Sequence, residues 1–248
     1  MAKSTFDHYA ASYGRFRPRY PPCVVERIRA LTGQPDDRWA LDLGCGPGFL
    51  AGMLSTGGWR VIAADASEAM LRLLDDKPAG CRRLRMTAES IGIADGAISL
   101  VTCAQSFHWF NPRNALAQID RILAPGGLLC LIWQDRCPTS ALVTDFHELI
   151  HRWNPSYRRE YGRQDWWAKL RSFSSLQPVS DTSDNWTWRL TPDQFVGYAH
   201  TLSFLRNTVP RAETPRLTGE LHALADRRQQ QGWCEIPMTI RVLTARHP

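Results

Sequence analysis

Trp39-Ala-Leu-Asp-Leu-Gly-Cys-Gly-Pro-Gly-Phe-Leu50 opens as an apolar run of strand length and stops on glycine. Gly44, Gly46 and Gly48 alternate, and the pattern then turns helical through Phe49, Leu50, Met53 and Leu54. A strand that breaks on glycines and restarts as a helix leaves free N–H groups and a positive helix end, with no Cβ atoms in the way. An adenosine-containing ligand can lie against such a backbone. Arg60-Val-Ile-Ala-Ala-Asp65 reads as the next strand. Its closing acid falls at about the separation from the glycines at which a carboxylate meets a ribose hydroxyl pair. Dinucleotide folds use G-x-G-x-x-G, whereas this chain has G-x-G-x-G with Asp42 two residues before the first glycine.

Asp42-Leu-Gly-Cys-Gly-Pro-Gly48, followed by Val61-Ile-Ala-Ala-Asp-Ala-Ser-Glu-Ala-Met-Leu71, resembles the first two motifs of class I S-adenosylmethionine (SAM) dependent methyltransferases. The likeness continues outward on both sides. Phe6 to Pro22 is similar to the opening segment of a bacterial small-molecule group that includes trans-aconitate and ubiquinone–menaquinone methyltransferases. Ala104-Gln-Ser-Phe-His-Trp-Phe110, Arg121-Ile-Leu-Ala-Pro-Gly-Gly127 and Leu128 to Arg136 resemble the same group. The resemblance implies SAM as cofactor. Asp42 then orients the glycine loop or meets the cofactor's amino group. Gly44, Cys45, Gly46 and Gly48 admit its methionine and ribose portions, and Asp65 takes the ribose hydroxyls with Ala66 and Met70 beside it. Ala88 and Glu89 are the adenine-side residues, since Thr87 stands where many relatives carry Asp. Ala104 and Gln105 lie in the loop the family places beside the methyl donor.

Strands alternate with helices: Ala97 to Cys103 reads as a buried fourth strand, Asn111 to Leu123 as a helix and Leu128 to Trp133 as a fifth strand. That rhythm predicts a doubly wound, mostly parallel sheet, and the resemblance makes it seven-stranded with a helical cap after the fifth strand. The expected organisation is an arm and first helix over 1–36, a cofactor core over 37–136, a helical insertion over 137–234 and a final strand over 235–248. Ile236 to Ala245 alternates cleanly, and Trp186 to Leu190 is its expected partner.

The 248 residues suffice for one such domain with an inserted cap, and 44% apolar content is ordinary for a globular chain. No apolar run approaches bilayer length and the first residues lack an apolar signal core, so a cytoplasmic protein without a membrane partner is expected. The seven cysteines are scattered without a C-x-x-C pair, which suggests neither a disulfide framework nor a zinc site. A net charge of +6 favours acidic partners weakly, with arginines spread in twos and threes.

Methyl transfer needs chiefly an in-line, dry geometry, and a base only when the acceptor still carries its proton. His108 is the candidate base, predicting a rate that falls at acid pH with an apparent pKa between about 5.5 and 7.5. Its other role is to hold Trp109 and Phe110 in place. Tyr13, Arg17 and Tyr20 sit in an aromatic–arginine arm that reads as a lid. With Trp109, Trp133, Trp166 and Trp167 they are the candidate acceptor contacts. The aromatics from Trp153 to Trp188 predict a metabolite-sized pocket lined by at least two of Tyr157, Tyr161, Trp166, Trp167 and Trp186; the rival is that they fill the insertion's own core. His147-Glu-Leu-Ile-His151 matches H-E-x-x-H, but Arg152 to Tyr157 supplies neither the glycine nor the third histidine of the extended zinc motif, and no metal is expected. O- or N-methylation of a small molecule is the expected activity, ahead of C-methylation. The alternatives are a tRNA methyltransferase and a non-catalytic SAM-binding subunit; no separate RNA-binding module is visible.

Overall fold

A computed structural model describes residues 9–35, 38–74, 81–158 and 165–248. Helices α1 (Ala10–Phe16) and α2 (Cys23–Thr32) precede strand β1 (Trp39–Leu43). After it come α3 (Phe49–Thr56), β2 (Arg60–Asp65), α4 (Glu68–Arg72), β3 (Cys81–Arg85), β4 (Ile98–Ala104), α5 (Pro112–Ile122) and β5 (Leu123–Arg136). The chain continues through α6 (Ala141–Trp153), α7 (Trp166–Phe173), β6 (Gln177–Leu190), α8 (Pro192–His200), α9 (Ser203–Arg206), α10 (Thr214–Arg228) and β7 (Cys234–Arg246). Short polar side chains start several helices: Ser67, Asn111 and Ser140 accept from the backbone N–H three residues on, and Thr191 with Gln194 forms a reciprocal cap.

The seven strands form one sheet in the order β3-β2-β1-β4-β5-β7-β6. β1 to β5 pair in parallel, while β7 runs antiparallel to both β5 and β6. Buried residues of α2, α3 and α4 pack on one face, around Ile28, Leu50, Leu54 and Val61. α5 and α7 cover the other with Leu116, Ile119, Trp166 and Leu170. Strand order reverses between β1 and β4, which opens a crevice at their carboxyl ends, where α/β sheets bind ligands.

The β6–β7 ribbon outruns its neighbour. Arg136, the last residue of β5, pairs with Met238, while Cys234 to Pro237 pair only with Thr187 to Leu190 of β6. At ~3.3 Å per residue these four positions rise about 13 Å above the sheet. A separate core gathers there from α6, α8 and α10, including Phe146, Phe195, Leu221 and Ile236. A cap thus stands over the carboxyl ends of the parallel strands.

One expected boundary moves: β6 begins at Gln177, well before Trp186, because its polar Ser180–Asn185 stretch is held by β7 at the sheet edge. α8 and α9 are separate helices, broken at Thr201 and Leu202. Among the described residues no helix is long and apolar enough to cross a membrane.

The turn after β1 is fixed sterically. Gly44 has φ +70°, and a Cβ there would lie 2.5 Å from Ser106 Cβ, with the Ser106 hydroxyl already donating to Leu43 O at 2.7 Å. Gly44→Ala combines left-handed strain with a buried clash, so it is expected to destabilise the protein by about 2–4 kcal/mol. Urea unfolding would check this; a loss below about 1 kcal/mol would mean that the turn can move.

Candidate cofactor and acceptor site

The glycine turn is held from beneath by Asp42. Its Oδ2 accepts from Ala51 N at 3.1 Å, in the first turn of α3, and its Oδ1 accepts from Thr102 Oγ1 at 2.8 Å on β4. Burial pushes its carboxyl up to about 7, against those two hydrogen bonds, with Asp65 adding to the rise. Both carboxyl oxygens are hydrogen-bonded inside the fold and the residue is 1% exposed, so Asp42 ties the loop to α3 and β4.

Asp65, at the end of β2, is half-buried. Its Oδ2 accepts from Gly46 N at 2.9 Å and its Oδ1 from Ser67 N at 2.8 Å. A carboxylate offers about four acceptor positions, more than these two backbone N–H groups use. Among the described residues a Cβ built on Gly46 would meet nothing within 4 Å, so the loop faces open space beside this carboxylate. Gly48 is different: its Cβ would lie 2.4 Å from Leu74 Cδ2, so it is required for packing. The half-buried Cys45 backs the loop, its thiol raised well above the ordinary value by burial and by Asp42 and Asp65. An adenosine-bearing group fits this cradle through the space over Gly46 and the acceptor oxygens of Asp65.

Around the cradle, Met70 and Ala88 are buried, and the exposed Ala66 offers its carbonyl to Arg85 Nε at 3.3 Å. Glu89 Oε1 accepts from Asn111 N at 2.9 Å, which ties the chain after β3 to the start of α5. Beyond β4, Ala104 leads into Gln105, a non-glycine residue at φ +55° whose N–H is held by Ile132 O at 2.8 Å. Left-handed strain of this kind is characteristic of functional loops. Burial pushes the His108 imidazole down to about 4, below the window of pH 5.5 to 7.5 expected from the sequence. Trp109 beside it is 56% exposed.

The N-terminal arm lies over this end of the sheet. Gly14 of α1 comes so close that a Cβ would lie 3.3 Å from Leu73 and 3.7 Å from Pro47 of the glycine loop, and Phe16 fills the space above Gly197 of α8. Arg19 stacks on Phe49, its carbon 3.8 Å from the ring centroid. Burial, then Tyr13 and Asp42, raise the Tyr20 phenol well above its usual range. Arg17 sits 4.7 Å over the Tyr13 ring and donates to Thr201 O at 2.9 Å, which joins the arm to the cap.

The tryptophans expected to line the acceptor pocket belong mostly to the core. Trp133 and Trp166 are both buried and stack with centroids 5.0 Å apart at 10°, and Trp166 meets Phe107 edge-on at 5.4 Å. Trp167 faces β6 and donates to Asp181 Oδ2 at 3.2 Å. Trp186 packs between the sheet and cap cores, and Tyr161 lies outside the described residues. Sequence reasoning missed Arg136, Tyr198 and Arg206, which gather with Tyr157 and Arg17 between arm and cap. The only advance signal was that Arg136 closes the Leu128–Arg136 stretch that resembles the methyltransferase group. His147, of the H-E-x-x-H match, accepts from Arg136 Nε at 3.4 Å, and that cation is a poor neighbour for a metal ion. A recess lined by Thr32, Pro35, Trp59 and Arg246 opens at the amino ends of the strands, away from this site.

Gly46→Val is expected to lower SAM affinity at least about tenfold, because a β-branched side chain occupies the cradle. Asp65→Ala should do the same, and because Asp65 also anchors two backbone N–H groups it should cost about 1–3 kcal/mol of stability. Calorimetry with SAM and thermal unfolding check both; unchanged SAM affinity in both variants would remove this loop from the site.

Residues 41–131 match the family model of the methyltransferase domain. A methyltransferase of uncharacterised specificity from Mycobacterium tuberculosis is 34% identical over 148 residues, 60% of this chain and 59% of that protein. The match therefore spans about three-fifths of the length of these curated relatives. A methyltransferase-like protein from Schizosaccharomyces pombe is 27% identical over 226 residues, 89% of this chain and 86% of its own. Among solved structures, a protein from Anaeromyxobacter dehalogenans bearing a methyltransferase name superposes with a TM-score of 0.70 at 22% identity, over 94% of this chain and 97% of that one. Over residues 41–131 the chain is thus similar to methyltransferase domains, and its fold is that of the solved structure it superposes on.

Proposed function

We propose that this chain is an enzyme that moves a methyl group from SAM to an oxygen or nitrogen of a small metabolite. The observation that carries this reading is the open space over Gly46, beside the acceptor oxygens of Asp65, at the sheet's switch point and beneath the arm. Support for a small acceptor comes from the arm and cap, which cover the carboxyl ends of the strands where a polymer would need an open groove.

SAM, when bound, supplies a methyl group already activated by its sulfonium. The chain's part is placement. The Gly44–Gly48 turn and Asp65 bind the adenosine end, while Asp42 holds the turn in register with α3 and β4. Tyr13, Arg17 and Tyr20 close the site from above and exclude water. Orienting a nucleophile in line in a dry site supplies roughly 7–11 kcal/mol of the barrier. An imidazole held near pKa 4 is a poor base, so the acceptor atom is one that offers a lone pair at neutral pH without losing a proton first. A carboxylate oxygen or an aromatic ring nitrogen fits this, and an alkylammonium group or a carbon acid does not. His108 then positions the loop.

S-adenosylhomocysteine formation, measured against a metabolite panel and against tRNA, tests the reading; turnover on tRNA alone would overturn the small-molecule acceptor. With chemistry rate-limiting, kcat is expected to vary less than about threefold between pH 5.5 and 7.5, and His108→Ala to lower it by less than about tenfold. An acid limb with a pKa inside that window that disappears in His108→Ala would restore the base role.

A further inference from the structure

Three arginines meet where the arm, the cap and the end of β5 come together. Arg136 is buried, with Nη1 donating to Tyr198 Oη, Nη2 to Tyr157 Oη at 3.3 Å and Nε to His147 Nε2 at 3.4 Å. Its guanidinium carbon lies 5.8 Å from the centroid of the Tyr198 ring, and that of Arg17 lies 5.7 Å from the same centroid. Arg17 Nε is buried without an acceptor. Arg206 covers the Tyr9 ring at 3.5 Å, and both its Nε and Nη2 are buried without acceptors. It is near enough to Arg17 for that charge, after burial, to press its own pKa down.

No described carboxylate forms an ion pair with any of the three, although Arg27, Arg121, Arg228 and Arg241 each have one. Guanidinium groups stay charged in proteins, and withdrawing one fully and two partly from water without a paired counter-ion is costly. Phenols, an imidazole and one backbone carbonyl do not neutralise them, and Asp135 acts on Arg136 only as the last of its electrostatic influences. The cluster also stands at the right place for an acceptor. Arg136 is two residues beyond Gln134 on β5, and the backbone carbonyl of Gln134 accepts from Gln105 Nε2 in the strained loop after β4. Two strand residues span about 7 Å.

We propose that Arg17, Arg136 and Arg206 form an oxyanion-binding subsite for the methyl acceptor, which therefore carries a carboxylate or phosphate group. This rests on the methyltransferase reading and narrows its substrate class. The planar guanidinium fork suits either group, by paired N–H···O contacts. The anion supplies the missing counter-charge and draws the arm down onto the cap, which couples acceptor binding to closure over the cofactor.

The test is calorimetry on the full chain saturated with S-adenosylhomocysteine, with citrate and inorganic pyrophosphate as probes at matched ionic strength. Wild type is expected to bind at least one saturably, and the stronger probe tells carboxylate from phosphate. Arg206→Gln, at a half-buried position on a short helix, and Arg17→Gln should each weaken that binding at least tenfold. Arg136→Lys, which keeps the charge and loses the fork, should weaken it as well. Absence of saturable binding to either probe, or equal affinity in Arg206→Gln and Arg17→Gln, would overturn the proposal and leave the arginines as a clamp between arm and cap. If S-adenosylhomocysteine does not bind, the methyltransferase reading fails separately, and the same titrations on the cofactor-free chain still judge the anion site.

Discussion

Asp42 is a carboxyl group with almost no access to water, and it holds three elements at once. From β1 it reaches the first turn of α3 and the hydroxyl of Thr102 on β4. An unsatisfied helix N-terminus and a buried carboxyl would each be costly alone, and each answers the other. The geometry of this knot obliges the chain to leave β1 through a tight left-handed turn, against Ser106 on one side and Leu74 on the other. What remains open is the space over Gly46, beside Asp65. The proposed cofactor cradle is what is left when packing has claimed Gly44 and Gly48.

The glycine turn was legible in the sequence because its constraints are local. Glycines at alternating positions, an acid before them and an acid at the end of the next strand all lie between Asp42 and Asp65. The parallel sheet was legible for a similar reason, since apolar runs such as Ala40 to Leu43 and Leu128 to Trp133 are buried on both faces. β6 was not. Ser180 to Asn185 is a polar run that carries no strand signal, and it becomes a strand only because β7 pairs with it over the whole length. The aromatics misled for the opposite reason. Trp166 belongs to a helix that reads as cap, yet it stacks on Trp133 from the fifth strand, and that partner is distant in sequence. Nothing local marks Arg136 or Arg206, and only the tertiary fold draws them to Tyr198 and Tyr9.

The arm connects the two halves of the site. Gly14 and Gly197 mark where α1 fits closely, against the glycine loop at one end and α8 at the other. Tyr20 lies within electrostatic range of Asp42, and Arg17 reaches the cap through Thr201. A ligand that moves the arm therefore acts on both the cofactor loop and the cap. Closure of this kind excludes water from the reacting groups and orients them, which is most of what methyl transfer asks of a protein.

Hydrogen–deuterium exchange with and without S-adenosylhomocysteine tests this account most directly. Slower exchange is predicted for amides in Gly44–Leu50, in Asp65–Met70 and in Ala10–Tyr20, with the β6 edge unchanged. Binding without protection of the glycine turn, or protection confined to the amino ends of the strands, would contradict it.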